Sequence, residues 1–232
     1  MKYFEKILEE CIINSHGYSP KDSLYSWSNE YFFKHKKRYA GDLKIINEVH
    51  KEGAILEIGA APYHMTVALK ILGFPVTAVD VDPSRFSEYL KIHDLNVIKC
   101  DIENEKLPFN DNHFKLIIFN EVFEHLRINP IATLKELNRI LHPNGKFIIS
   151  TPNLYAIENI LYYISGKGFD NAYKQFSKLE TIGHMGHVRI YTSKQIKKFL
   201  KNCGYKVERT MFRDTLVSAT SYNTSFFSTF QD

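Results

Sequence analysis

Two groups of residues in this 232-residue chain combine types and spacings that can do chemistry. The first is Glu121-x-x-Glu124-His125, joined later by His184 and His187 in the stretch GHMGHVRIY. Carboxylates and imidazoles together suit Mg²⁺ or Mn²⁺, and an imidazole also exchanges a proton near neutral pH. The second group closes a series of apolar runs: Asp80 follows VTAV, Asp101 follows VIKC, and Asn120 follows KLIIF. Polar groups at the carboxyl ends of parallel strands stand where open α/β sheets bind ligands.

The runs themselves must position these residues. AILEI (54–58), Val76 to Val79, LNVIKC (95–100), KLIIFN (115–120) and KFIISTP (146–152) are short and apolar enough for buried parallel strands. Between them lie helical patterns over 64–72, 84–91 and 130–141, the last opening on Pro130, which suits a first helical turn. Ser84 is a candidate cap for the short helix, and HPNG before the fifth run is a turn signature. Strands alternating with crossover helices imply a three-layer α/β sandwich with a largely parallel sheet. From Ala54 to Pro83 the order is strand, small-residue turn, helix and acid-ended strand, the opening of a nucleotide-type binding half-fold. A dinucleotide dehydrogenase would carry GxGxxG there, whereas this chain has Gly59-Ala60-Ala61-Pro62-Tyr63.

Flanking segments frame this core. Tyr3, Phe4, Ile7, Leu8, Cys11 and Ile12 recur at helical spacing. The stretch from Leu24 to His50 holds Trp27 and the cluster His35, Lys36, Lys37, Arg38. It is either a solvated face backed by aromatic contacts or a lid that brings Tyr31, His35 or Arg38 to a ligand; from about Leu43 to Lys51 it is plainly helical. Residues 153–191 begin as an aromatic helix, then lose a clean period, and are too long for a crossover loop, which implies a cap over a site. Helix 193–202 is amphipathic and ends before Gly204. YKVERTMF and TLVSATSY can pair as closing antiparallel strands, and the aromatic tail NTSFFSTFQD either docks or forms an interface between two copies. The expected division is 1–53 for N-terminal helices and lid, 54–221 for the main domain with its cap at 153–191, and 222–232 for the tail.

Composition narrows the class. A hydrophobic share of 44% with 24% charged residues excludes a disordered chain, and a net charge of +4 allows anionic ligands or nucleic acid without demanding them. Cys11, Cys100 and Cys203 are odd in number and far apart, as expected of buried thiols in a reducing compartment. Acids at Glu5, Glu9 and Glu10 break the N-terminal apolar pattern, so it does not read as a signal peptide, and no apolar run is long enough to span a membrane. A cytoplasmic location is expected.

Taken together, residues 54–151 resemble the core of a class I S-adenosylmethionine-dependent methyltransferase. The resemblance is carried by the ordered set Gly59, Asp80, Asp101 and Asn120, by EVFEHL, and by LKELNRILHPNGKFIISTPN. It implies a Rossmann-like three-layer sandwich whose seven-stranded, mostly parallel sheet has one antiparallel C-terminal strand. It also implies S-adenosylmethionine as cofactor, contacted by Glu57, Gly59, Ala61, Asp80, Asp101, Ile102 and Asn120. Asp80 would receive the ribose hydroxyls, Asp101 the adenine amino group, Ile102 the adenine face, and Asn120 the methionine part. The chain departs from the family's multi-glycine loop in having Ala61 where a second glycine is usual.

The later histidines extend the resemblance in two directions. E-x-x-E-H followed by a late histidine before an aromatic-Thr pair is similar to metal-dependent methyltransferases that modify the terminal 2′-hydroxyl of small RNAs. That likeness implies Mg²⁺ or Mn²⁺ on Glu121, Glu124, His125 and His187, with His184 nearby. In contrast, His35-x-x-Arg38-Tyr39-x-x-Asp42-Leu43 resembles small-molecule and sugar-pathway methyltransferases. The resulting expectation is O-methylation of a small metabolite or glycan precursor, assisted by His125, His184 or His187. The alternatives are a metal-dependent RNA 2′-O-methyltransferase and an inactive methyltransferase-like binding or scaffold protein; a homodimer is a further expected assembly.

Overall fold

Runs of β-branched and apolar residues flanked by turn-forming ones build the centre of the molecule. In the computed structural model, which describes residues 2–13, 23–168, 171–181 and 186–212, five runs become strands. They are β1 (Ile55–Ile58), β2 (Val76–Asp80), β3 (Val97–Lys99), β4 (Phe114–Asn120) and β5 (Leu141–Ser150). They form one sheet in the order β3-β2-β1-β4-β5, with every neighbouring pair parallel. The chain steps outward on one side from β1 to β3, then restarts on the other side with β4. That reversal opens a crevice beyond the carboxyl ends of β1 and β4.

Alternation along the strands divides the core between the two faces of the sheet. Ile55, Leu116, Ile118 and Ile148 face one helix layer, made of α1 (Lys2–Ile13), α2 (Ser23–Val49) and α3 (His64–Ile71). Leu56, Ile117, Phe119 and Phe147 face the other, where α5 (Pro130–Ile140) and α8 (Ser193–Asn202) pack. In α1 the buried residues Phe4, Ile7, Leu8 and Cys11 keep the i, i+3, i+4, i+7 spacing of a helix with one apolar face. The 27-residue α2 is a single helix about 40 Å long, which joins the aromatic-basic stretch and the later helical pattern without a break. All three cysteines are buried free thiols.

Local chemistry sets the element ends. Asn129 caps α5 by accepting a hydrogen bond from the Ala132 N–H (3.1 Å), and Pro130 fills the first turn. Thr192 and Gln195 form a reciprocal capping box at the start of α8. Ser84 does not cap: Pro83–Phe86 is a 3₁₀ turn leading into α4 (Ser87–Ile92), and the Ser84 hydroxyl donates back to Asp82. HPNG does not interrupt the chain as a separate turn. It lies within β5, where the β4–β5 register shifts between Phe114 and Leu116, so the extra length is absorbed as a bulge-like irregularity. Gly145 permits this, because a Cβ there would fall 2.8 Å from the His142 carbonyl oxygen.

Two expectations are corrected. The sheet has five strands among the described residues, and none is antiparallel. After α8, Tyr205 stacks on Phe147 of β5 and Glu208 pairs with Lys146, but a strand needs a ladder partner, and the expected one lies in 213–232, outside the described residues. The region after β5 also contains two helices, α6 (Ile157–Ile164) and α7 (Ala172–Thr181), where the sequence announced only the first. A parallel bridge between Asn153 and Tyr191 brings the start and return of this segment together. No described helix is long and apolar enough to cross a membrane.

Candidate active site

The β1–α3 loop sets the floor. Gly59 takes φ 63 and lies so close to the loop after β4 that a Cβ would sit 2.5 Å from Val122 Cγ2. Only glycine meets both demands without strain. Two residues on, the Ala61 N–H donates to Asp80 Oδ2 (3.1 Å), tying this loop to the end of β2. Asp80 Oδ1 accepts from the Asp82 N–H (3.0 Å), with the Arg85 guanidinium 3.5 Å away. Each carboxylate oxygen can accept more than one hydrogen bond, so Asp80 retains capacity toward a ligand.

Beyond β3, Asp101 accepts from the Glu103 N–H (3.0 Å) and from Asn104 Nδ2 (2.8 Å), which orients its carboxylate. Ile102 lies next to it on the same wall. Glu57 turns the other way. It is buried beneath the loop, accepts from the Thr66 hydroxyl of α3, and is pushed up to about 8 by burial, so it is largely neutral at pH 7. Asn120 closes β4 with its Oδ1 buried and without a hydrogen-bond partner among the described residues. Neither Glu57 nor Asn120 lines the cavity.

The end of β4 carries the second group. Glu121 adopts φ 57, an uncommon conformation for a non-glycine residue. It is held there by its N–H to the Ser150 carbonyl (2.8 Å), by the Ser150 hydroxyl on its Oε1 (2.7 Å), and by Arg38, 3.3 Å from Oε2. Arg38 also donates to the Tyr31 hydroxyl (2.9 Å). The expected basic patch of α2 is thus split, with Arg38 turned into the protein and Lys37 left in solvent.

Glu124 is fully buried; its Oε2 accepts from the Thr151 hydroxyl (3.0 Å), while Oε1 has no hydrogen-bond partner among the described residues. Burial, and then the charge of Glu121, push its carboxyl well above the usual carboxylate range. His125 Nδ1 lies 3.0 Å from the Gly186 carbonyl. A carbonyl only accepts, so Nδ1 carries the proton and Nε2 is the basic nitrogen of the ring. His187 stands 5.2 Å from His125 between ring centres, and its Nε2 is 4.0 Å from Glu124 Oε1. Glu124, His125 and His187 bring one ligand atom each within 4.8 Å of one another. Glu121 is not in that group, and His184 lies outside the described residues.

One cavity of about 1250 Å³ collects both groups, with Gly59, Ala61, Asp80, Asp101 and Ile102 on one side and Glu121, Glu124, His125 and His187 on the other. Typical small-molecule sites occupy roughly 300–1,000 Å³, so there is room for a nucleoside-sized cofactor with a modest acceptor. The donor set fits S-adenosylmethionine: a glycine cradle, two oriented carboxylates and an apolar face. Trp27, Tyr31 and His35 of α2 close one flank; burial and the charges of Arg38 and Lys34 push His35 down to about 3, so it is a neutral wall residue. The α6–α7 segment closes another through Asn159, Lys167, Lys174 and Gln175. Sequence reasoning missed Gln175, whose Oε1 accepts from the His187 N–H (3.1 Å), and Thr151 beneath Glu124. Thr151 follows KFIIS directly and was within reach of the same strand-end reading; Gln175 required recognising α7.

Comparisons with known proteins bear on the family and the fold. The sequence profile of the methyltransferase domain family matches residues 31–210. An uncharacterized methyltransferase of Schizosaccharomyces pombe is 31% identical over 118 residues, spanning 44% of this chain and 40% of that relative's length. A SAM-dependent methyltransferase from Thermotoga maritima superposes with a TM-score of 0.60 at 19% identity, covering 87% of this chain and 89% of that one. A glycopeptide N-methyltransferase gives 0.59 at 14% identity, covering 84% and 90%. At such identities the two solved structures speak to the fold, while the profile, matching more than three quarters of the chain, establishes descent. The profile match over 31–210 carries the conclusion, and the fold it belongs to is the one shared with solved SAM-dependent methyltransferases: the chain belongs to the methyltransferase domain family.

Proposed function

We propose that this chain is an S-adenosylmethionine-dependent methyltransferase acting on an oxygen of a small hydroxyl-bearing metabolite or glycan precursor, with His125 taking the acceptor's proton and His187 beside it in the cavity. The observation that carries the reading is the facing pair of imidazoles in the same cavity as Gly59, Asp80 and Asp101. S-adenosylmethionine, when bound, supplies a methyl group already activated on a sulfonium. The chain's own work is therefore to hold the cofactor, align the acceptor, exclude water and remove a proton. Asp80 and Asp101 would hold the nucleoside end through their remaining acceptor capacity, and Ile102 would offer its base an apolar wall. His125 Nε2 accepts the hydroxyl proton, while the Gly186 carbonyl fixes the tautomer. The α2 flank, within the lid unit 1–53, and the cap 153–191 exclude water from opposite sides.

A second reading is favoured by the cluster of Glu124, His125 and His187. Its buried, unsatisfied carboxylate oxygen and two imidazoles suit a divalent ion such as Mg²⁺ or Mn²⁺, whose charge would favour the ionised form of Glu124. Such an ion would lower the pKa of a hydroxyl, including a ribose 2′-hydroxyl of RNA. A lidded cavity and a net charge of only +4 weigh toward the small acceptor. Steady-state kinetics with labelled S-adenosylmethionine, repeated after chelation and elemental analysis, separates the readings. His125→Gln is expected to lower kcat by roughly 10²–10⁴-fold, with binding of the demethylated cofactor retained and activity indifferent to chelation. An unchanged kcat would overturn the base assignment, and activity lost on chelation and restored by Mg²⁺ or Mn²⁺ would replace it with the metal reading.

A further inference from the structure

Helix α7 is turned inside out relative to an ordinary surface helix. Tyr173 and Phe176 are 84% and 60% exposed, and neither lines the cavity. Asn171, Lys174, Gln175 and Lys178, at i, i+3, i+4 and i+7, line it instead, with Ala172 and Leu179 at their edges. A helix normally turns its apolar face inward, so a polar face set over a cavity of about 1250 Å³ answers to a polar occupant. Helix α6 adds a second sign. Asn159 lines the same cavity and is 1% exposed; its Nδ2 donates to the Asn153 carbonyl (2.8 Å), while Oδ1 is buried and has no hydrogen-bond partner among the described residues. Leaving a buried amide oxygen unpaired is costly, and a hydroxyl of a bound molecule would satisfy it.

The charges on these walls set the occupant's sign. Lys167, Lys174 and Lys178 line the cavity from the cap, and Lys34 lines it from α2. Lys34, Lys167 and Lys174 make no ion pair with a carboxylate among the described residues. Glu30, one turn before Lys34, is the carboxylate these two walls contribute. The other lining acids follow the strand ends, where Asp80, Asp101, Glu103 and Glu121 are held by hydrogen bonds from the chain and Glu124 is fully buried. Lys178 fixes where the positive charge falls. Its ammonium donates to Gln175 Oε1 (2.8 Å), the same oxygen that accepts from the His187 N–H (3.1 Å). The lysines of α7 therefore stand beside the histidines. One carboxylate, such as that of the cofactor, is too little negative charge for four ammonium groups. Neither α6 nor α7 contains arginine, whose fork is the usual match for a carboxylate, whereas lysine meets phosphate as a point charge.

We propose that the acceptor is a phosphorylated molecule, its phosphate held by Lys174 and Lys178 of the cap and Lys34 of α2 while its hydroxyl meets His125. This rests on the proposed O-methyl transfer and names the substrate class of that same site. Asn159 Oδ1 accepts from a further hydroxyl of the acceptor.

Calorimetric titration of inorganic phosphate into the full-length protein, free and saturated with S-adenosylhomocysteine, tests the proposal. Saturable binding is expected in both states, tighter than that of succinate and weakened by high salt. Lys174→Glu/Lys178→Glu and, from the opposite wall, Lys34→Glu are each expected to weaken it by ~10-fold or more, with the melting temperature and S-adenosylhomocysteine affinity of the wild type. Lys194→Glu/Lys197→Glu makes the same charge change as the cap pair at exposed positions of α8 and should leave phosphate binding unchanged. Binding that is absent, weaker than that of succinate, unaffected by the cavity lysines or equally reduced by the α8 pair would overturn the proposal. So would a parallel loss of S-adenosylhomocysteine affinity in the cavity variants, which would assign the lysines to the cofactor's own carboxylate. Failure of the methyltransferase reading would show separately, as no S-adenosylhomocysteine binding by the wild type while phosphate binding to the free protein still responds to the cavity lysines.

Discussion

Glu57 and Glu124 are both acids at the sheet edge whose carboxyl pKa burial raises, yet they serve different ends. Glu124 presents an unsatisfied oxygen to two imidazoles in the cavity, whereas Glu57 serves the hidden side of the glycine loop through Thr66. Because Glu57 is raised from 4.5 to about 8 on folding, the folded chain binds a proton that the unfolded chain releases. Its contribution is fully present below about pH 4.5 and is lost as pH rises through about 8. Glu57→Gln removes that dependence, so the variant should gain stability relative to wild type as pH rises from 5 to 8. Melting temperatures at the two ends of this range check the point; a constant difference would mean that Glu57 is not held neutral. At this scale Asp80 and Asp101 were legible because each ends an apolar run. Arg38 was legible only in part: it shares a helix face with Tyr31, His35 and Asp42, at i, i+4, i+7 and i+11, but a run of basic letters hides that it points inward.

Elements end where side chains complete the backbone. The Thr192–Gln195 box joins the return of the cap segment to α8, whose Ile196 and Leu200 fill the layer beneath β4 and β5. Thr192→Ala leaves the Gln195 N–H without its side-chain acceptor (3.2 Å) and should cost about 1 kcal/mol, or roughly 2–4 °C in Tm. A thermal melt would show this; an unchanged Tm would mean that water satisfies the helix start equally well. The strands and most helices could be read from periodicity and caps. HPNG could not, because turn-forming residues also accommodate a strand irregularity, and β4 supplies the neighbour that decides between them. Helix α7 escaped because its large apolar residues, Tyr173, Phe176 and Leu179, recur only every third position and lack the i, i+3, i+4, i+7 pattern that marked α6. The expected antiparallel pair depended on a partner segment outside the described residues.

At the scale of the whole molecule, one sheet order explains why residues far apart in sequence share a cavity. Because β1 and β4 are neighbours, the Gly59 loop meets Val122, and the acids closing β2 and β3 fall on the same edge as the Glu124–His125 turn. The N-terminal helix α2 and the α6–α7 cap then enclose that edge from different parts of the chain. The central claim is that this edge binds S-adenosylmethionine through Asp80 and Asp101. Titration calorimetry of S-adenosylhomocysteine into protein cleared of bound ligand tests it most directly. The account predicts saturable binding by the wild-type protein, weakened by ~10-fold or more in Asp80→Ala and in Asp101→Ala. No binding by the wild type, or affinity unchanged in both variants, would contradict it.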